Sequence, residues 1–69
     1  SEISEAQAKG IAKNKFIELG EEESSLENMT VTGILRGGQK YYRISSEKNT
    51  LEIKIATGEI TRVSDKNAE

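Results

Sequence analysis

Apolar residues in the first third of the chain recur at helical spacing. Ala8, Ile11, Ala12, Phe16 and Leu19 form one stripe, while Lys9, Lys13, Asn14 and Glu18 fall mostly away from it. Ser4 followed three residues later by Gln7 has the form of a capping box, with Ile3 at the staple position. Gly20 is placed to end the helix in a left-handed conformation. The pattern predicts a helix over about 4–19. Gly10 inside it costs about 1 kcal/mol relative to alanine, and close packing of its backbone against a sheet is the expected reason for its presence.

Residues 20–28 form a connector carrying Glu21, Glu22, Glu23 and Glu27. The carboxylates lack the ligand spacing and glycine turn of a calcium loop, so a solvated linker with room for one short helical turn is expected. From Met29 the pattern switches to period two, giving a sheet over about 29–63. Gly37-Gly38 tolerates the positive φ angles of a tight primed turn, which sets Val31 opposite Ile44, Thr32 opposite Arg43, Gly33 opposite Tyr42 and Ile34 opposite Tyr41. Taking Lys48-Asn49 as the next loop sets Ile44 opposite Ile53, Tyr42 opposite Ile55 and Ser46 opposite Leu51, with Lys54 opposite Arg43. Leu51, Ile53 and Ile55 alternate with Glu52 and Lys54 as in a half-buried strand. Thr57-Gly58 fits a third turn into a strand from Glu59 to Val63. A simple loop there brings Ile60 opposite Ile55 but turns Arg62 inward and Val63 outward, a conflict that a bulge would resolve. Residues 64–69 read as a polar, frayed tail.

These elements give one α+β domain, a single N-terminal helix packed on a four-stranded antiparallel meander in two layers. Its inner face is expected to carry Tyr42, Ile44, Leu51, Ile53 and Ile55.

Composition narrows the function. With 69 residues the chain buries only about 60% of its unfolded surface. It contains no cysteine and no histidine, so the side chains that most often serve as nucleophile, general base or zinc ligand are missing. Ser24-Ser25 and Ser45-Ser46 have no neighbour suited to activate a hydroxyl, and Gly37-Gly38 lacks the strand–loop–helix setting and lysine of a phosphate-binding loop. Neither catalysis nor a metal or other cofactor is expected. A formal net charge of −2 gives no overall attraction for nucleic acid. No apolar run reaches the roughly 18 residues of a membrane span. The first residues show no signal peptide, and the absent initiator methionine suggests a processed chain or a fragment of a longer one.

Ile3-Ser4, Ala8 and Ile11-Ala12 at the helix start, Tyr42 and Ile44 in the middle, and Ile53, Ala56, Thr57-Gly58-Glu59-Ile60 and Val63 at the end follow an order and spacing that resembles the PepSY domain family, from Ile3 to about Ser64. One departure is Lys54, which stands where the family often has an aspartate four residues before the turn glycine, and any role of that aspartate is in doubt here. The resemblance implies an extracytoplasmic, non-catalytic regulatory module that restrains or assists a peptidase or other hydrolase, or another domain of its own parent chain. The alternative is a structural or assembly module of a larger cell-envelope protein, without inhibitory action. A third reading, a small molecule held between helix and sheet, is opposed by the small Ala8, Gly10 and Ala12, which favour close packing.

Two surfaces are candidates for a partner. One is the outer sheet face, where Ile34 and Tyr41 sit side by side among Thr30, Thr32, Arg43, Lys54 and Thr61. Ile34, Tyr41, Arg43 and Lys54 are the residues expected at a protein interface, although an Ile–Tyr pair also serves simply to stabilise a hairpin. The other is a free strand edge, open to a partner's extended segment unless it is protected.

Overall fold

The helix begins where its cap is built. In the computed structural model, which describes residues 1–67, the Ser4 hydroxyl accepts from the Gln7 amide while the Gln7 side chain accepts from the Ser4 amide, and α1 runs from Glu5 to Glu18. It ends in a Schellman motif. Gly20, at φ 100°, donates to Ile17 O, and Glu21 donates to Phe16 O, which satisfies carbonyls that the last turn would otherwise leave open. A 3₁₀ turn, Glu23–Leu26, follows and buries Leu26.

Four strands then form an antiparallel meander in chain order: β1 (Thr30–Arg36), β2 (Gln39–Ser45), β3 (Asn49–Lys54) and β4 (Ile60–Asp65). The architecture is the expected α+β two-layer arrangement. The β1–β2 register is also the expected one, with Val31 opposite Ile44 and Gly33 opposite Tyr42. It turns on Gly37 and Gly38 at φ 57° and 79°, the positive angles a primed hairpin needs.

The β2–β3 register differs by two residues. Tyr42 faces Ile53, Arg43 faces Glu52, Ile44 faces Leu51, and Lys54 faces Tyr41 rather than Arg43. The turn is Glu47-Lys48, one residue earlier than expected. No non-glycine residue among those described has positive φ, so the loop is not a primed one. Ser46 makes it possible: its hydroxyl accepts the Asn49 amide at 3.0 Å, in place of its carbonyl, while the Ser46 amide donates to Asn49 O. Because the shift is even, every side chain keeps its face.

The third connection is longer than a two-residue turn. Ile55 to Gly58 loop between Lys54 and Glu59, whose backbones pair at 2.8 Å. Ile55 stays buried, donating to Lys40 O and accepting from the Ile3 amide. The expected bulge is present between the Glu52 and Ile53 pairs, with Thr61 as the extra residue. It sets Ile60 opposite Ile53 and leaves Arg62 outward opposite Glu52. Residues 64–67 are not frayed: Ser64 and Asp65 belong to β4, and Lys66 bonds Lys48 O and Ser46 O. Residues 68–69 of the expected tail lie outside the described residues.

The helix lies over β2 and β3. Ala8, Ala12 and Phe16 meet Ile44, Leu51 and Ile53, all fully buried, and each of the large ones contributes roughly 1.5–3 kcal/mol relative to exposure. The two alanines bring the layers together, and Phe16, Ile44, Leu51 and Ile53 pack between them as one buried cluster. Tyr42 is half-buried at the rim of this core. Two expectations for the helix fail. Leu19 is 46% exposed, because it is the cap residue beyond the stripe's last turn. Gly10 does not pack on the sheet: it is exposed, and a Cβ there would meet nothing within 4 Å.

Gly10→Ala is therefore expected to stabilise the domain by about 0.5–1 kcal/mol, and a thermal melt showing Tm raised by a few degrees checks it.

Candidate functional site

The strand parity that buries Ile44, Leu51 and Ile53 sends Ile34, Tyr41, Arg43 and Lys54 to the opposite side of the sheet, which no other element among the described residues covers. Ile34, Tyr41 and Lys54 lie in one row across β1, β2 and β3. Ile34 and Tyr41 are half-buried, as a packed cross-strand pair is. Arg43 belongs to the neighbouring row, Thr32–Arg43–Glu52–Arg62, and turns its guanidinium to Glu52 instead of joining the apolar pair. Thr61, the bulge residue, donates its hydroxyl to Glu52 O at 3.4 Å.

Glu52, which the expected register leaves only diagonal to Arg43, stands directly opposite it and at the centre of the face. Its carboxylate is 2% exposed and lies under arginines from three other strands. Arg36 donates from both terminal nitrogens, Nη1 to Oε1 at 3.0 Å and Nη2 to Oε2 at 3.2 Å. Arg43 adds Nε and Nη2 to Oε2 at 3.3 and 3.0 Å, and Arg62 Nη1 stands 4.0 Å away. Arg36 also crosses the Tyr41 ring, 5.5 Å from its centroid, a cation–π contact that joins the charged row to the apolar one. The signal was present in the chain. A register that opposes Arg43 to Lys54 places like charges together, and sliding by two exchanges Lys54 for Glu52.

The Arg36 hydrogen bonds pull the Glu52 pKa down from the ordinary 4.5 to about 2, against burial, which pushes it up; the Arg43 hydrogen bonds and the charges of Arg36 and Arg62 add to the lowering. In return the hydrogen bond and charge of Glu52 raise the Arg36 pKa. Glu52 is capped rather than deeply sunk, since the guanidinium groups above it are 46%, 45% and 62% exposed. Water therefore screens much of the attraction.

A second polar knot lies at the end of the domain where the β2–β3 turn meets the connector. Glu21, expected in a solvated linker, is 5% exposed. Its Oε2 accepts from Ser46 Oγ at 2.6 Å and from Asn49 Nδ2 at 2.7 Å, while Oε1 has no partner among the described residues. The Schellman turn at Gly20 delivers Glu21 to this position. Its neighbours Glu22, Glu23 and Glu27 are exposed, as expected.

The free edges differ. On β4 the bulge and the charged Arg62, Asp65 and Lys66 discourage pairing. On β1 the run Thr30–Leu35 is uninterrupted and uncharged, and Leu35 is 72% exposed.

Two outcomes test this reading. Acidification protonates unfolded Glu52 below about pH 4.5 while the folded carboxylate stays charged, so the stability it contributes is complete above that pH and is lost as pH falls toward 2. With screening discounted, the loss is about 1–2 kcal/mol. Urea titrations across this window should show it, and Glu52→Gln should lack that component. Ser46→Ala should cost about 1–3 kcal/mol in the same assay, because it removes the donor to Glu21 and the acceptor for the turn amides; Ser45→Ala, at a half-buried neighbour, should cost less.

Comparison of the chain with protein-family models, with characterised proteins and with solved structures finds no match, so its role is argued from its own geometry.

Proposed function

We propose that this domain is a non-catalytic, PepSY-type regulatory module that binds a peptidase or other hydrolase, or another domain of its parent chain, through the outer face of its sheet. The observation that carries the reading is that face itself. It is a sheet face that no other element among the described residues covers, on which the apolar pair Ile34–Tyr41 adjoins arginines held in place by Glu52. Aromatic, aliphatic and arginine side chains grouped in this way are the usual centre of a protein interface. The motifs of the resemblance fall on elements that suit it: Ile3-Ser4 opens the helix, Tyr42 and Ile44 lie on β2, and Thr57-Gly58 turns between β3 and β4. Restraint of a hydrolase would be steric, a rigid face occupying a cleft with no covalent step. An extracytoplasmic setting belongs to the same proposal. No helix among the described residues is long and apolar enough to cross a membrane.

One observation favours a second reading, a structural or assembly module. The edge of β1 is bare over Thr30–Leu35, and an open strand of this kind can extend a neighbour's sheet through backbone hydrogen bonds. A partner held there would contact β1 alone.

Against a verified hydrolase partner, Ile34→Ser combined with Tyr41→Ser is expected to lower affinity by at least about tenfold while the circular dichroism spectrum stays native. Unchanged affinity removes the outer-face reading. A partner that instead protects the β1 amides from hydrogen exchange supports the edge.

A further inference from the structure

The register lines up four hydroxyls across the outer face, Thr30–Ser45–Thr50–Ser64, directly beside the row that holds Arg43, Glu52 and Arg62. Between these rows, over β2, β3 and β4, lies a groove of about 390 Å³ lined by Arg43, Arg62 and Lys66, by the carboxylates of Glu52 and Asp65, and by Ser45, Thr50 and Ser64; Lys66 Nζ already donates to Ser46 O at 2.6 Å.

The hydrogen-bond account of this groove is unbalanced. Ser45 Oγ and Thr50 Oγ1 are 3.1 Å apart and share one proton between them, leaving the other free to donate. Arg43 commits Nε and Nη2 to Glu52 and retains Nη1. Arg62 donates no hydrogen bond among the described residues and is 62% exposed. Both oxygens of Glu52 accept from arginine, and Asp65 Oδ1 accepts the Asn67 amide while the group keeps its charge. Three basic groups, Arg43, Arg62 and Lys66, thus stand against two carboxylates, Glu52 and Asp65, and the groove offers spare donors with a slight positive excess. The wider face agrees, since Arg36, Arg43, Lys54 and Arg62 stand against the covered Glu52 and the rim carboxylate of Asp65 on a protein whose net charge is −2.

We infer that this groove receives a side-chain carboxylate of an extended acidic segment in the partner protein. The proposal rests on the outer-face reading and assigns that face its charge preference. The carboxylate sits against Arg62 and the free edge of Arg43, with the hydroxyl row completing its hydrogen bonds. An apolar side chain of the same segment lies on Ile34–Tyr41, about 10 Å away, or roughly three residues of extended chain. A nucleic-acid strand fits less well. Residues 1–28 hold seven glutamates and three lysines, so a long polyanion meets repulsion beyond the face, and one aromatic ring is little to stack on.

The test is an NMR titration of the whole domain with four probes: a blocked peptide bearing Asp-Glu three residues from Leu-Phe, its Asn-Gln counterpart, inorganic phosphate, and a single-stranded oligothymidine. The acidic peptide is expected to shift the amides of Thr50, Arg62 and Ser64 saturably. Its affinity should fall with salt and exceed that of the Asn-Gln peptide by about tenfold. Arg62→Gln should weaken it about tenfold, and Lys9→Gln on the helix should leave it unchanged. No saturable shift, equal binding of the two peptides, equal binding of phosphate alone, or tighter binding of the oligonucleotide would each overturn the assignment. If Ile34→Ser with Tyr41→Ser abolishes binding and Arg62→Gln does not, the carboxylate assignment falls and the outer face stands. If neither changes binding, both fall.

Discussion

Three guanidinium groups from three different strands converge above the middle of β3, and they can do so only because Glu52 lies beneath them. Without that carboxylate, positive charges a few ångströms apart would repel one another on a surface where water screens them only in part. With it, one side chain links all four strands: Arg36 from β1, Arg43 from β2, Arg62 from β4 and Glu52 itself. The arrangement also selects the register. A two-residue slip of β3 against β2 leaves the same apolar side chains on the inner face, so hydrophobic burial discriminates weakly between the two alignments. Opposition of Arg43 to Glu52 rather than to Lys54 separates them.

The second polar knot does for the connections what Glu52 does for the sheet. Gly20 adopts a positive φ that turns the chain out of α1, and the next residue, Glu21, arrives at the β2–β3 turn. There the carboxylate accepts from Ser46 and Asn49 while the Ser46 hydroxyl accepts the Asn49 amide. A hairpin loop without glycine is thereby held by a side chain some twenty-five positions earlier in the sequence. Helix end, connector and sheet are coupled through one small, buried, hydrogen-bonded cluster. Glu21 Oε1 has no partner among the described residues, so each of the bonds that Oε2 accepts is the more costly to lose.

What was legible in the sequence follows from these two knots. Parity along Leu51, Ile53 and Ile55 and the spacing of Ala8, Ala12 and Phe16 are local signals, and they located the buried faces correctly. Gly37-Gly38 is a local signal as well, and the β1–β2 register followed from it. The β2–β3 turn was misplaced because the local Ser46–Asn49 bonds that close it are anchored from afar: Glu21 accepts from both residues, and Glu21 looks like any other residue of an acidic connector. The same limit hid the full partner set of Glu52, which comes from β1, β2 and β4. The outer-face residues Ile34, Tyr41, Arg43 and Lys54 were placed on the right side by parity alone. Their division into an apolar row and a charged row was not visible until Glu52 stood opposite Arg43. Gly10 was misjudged for another reason: a glycine's cost in a helix is readable from sequence, but whether anything approaches it is a tertiary fact.

The arginines on this face are already ordered before any partner arrives, and that bears on what the surface can do. A free arginine loses rotamer freedom when it is fixed at an interface, whereas Arg36 and Arg43 are held by bonds to Glu52 in the isolated domain. A partner meeting them need not supply that ordering. Charge then decides orientation. Residues 1–28 carry four more acidic than basic side chains, and the remainder of the chain carries two more basic than acidic, with the surplus gathered on the outer face. An acidic partner is repelled by one layer of the domain and attracted by the other, so encounter is biased toward the sheet before any specific contact forms. The feature that fixes the strand register thus also holds two arginines of the outer face in place.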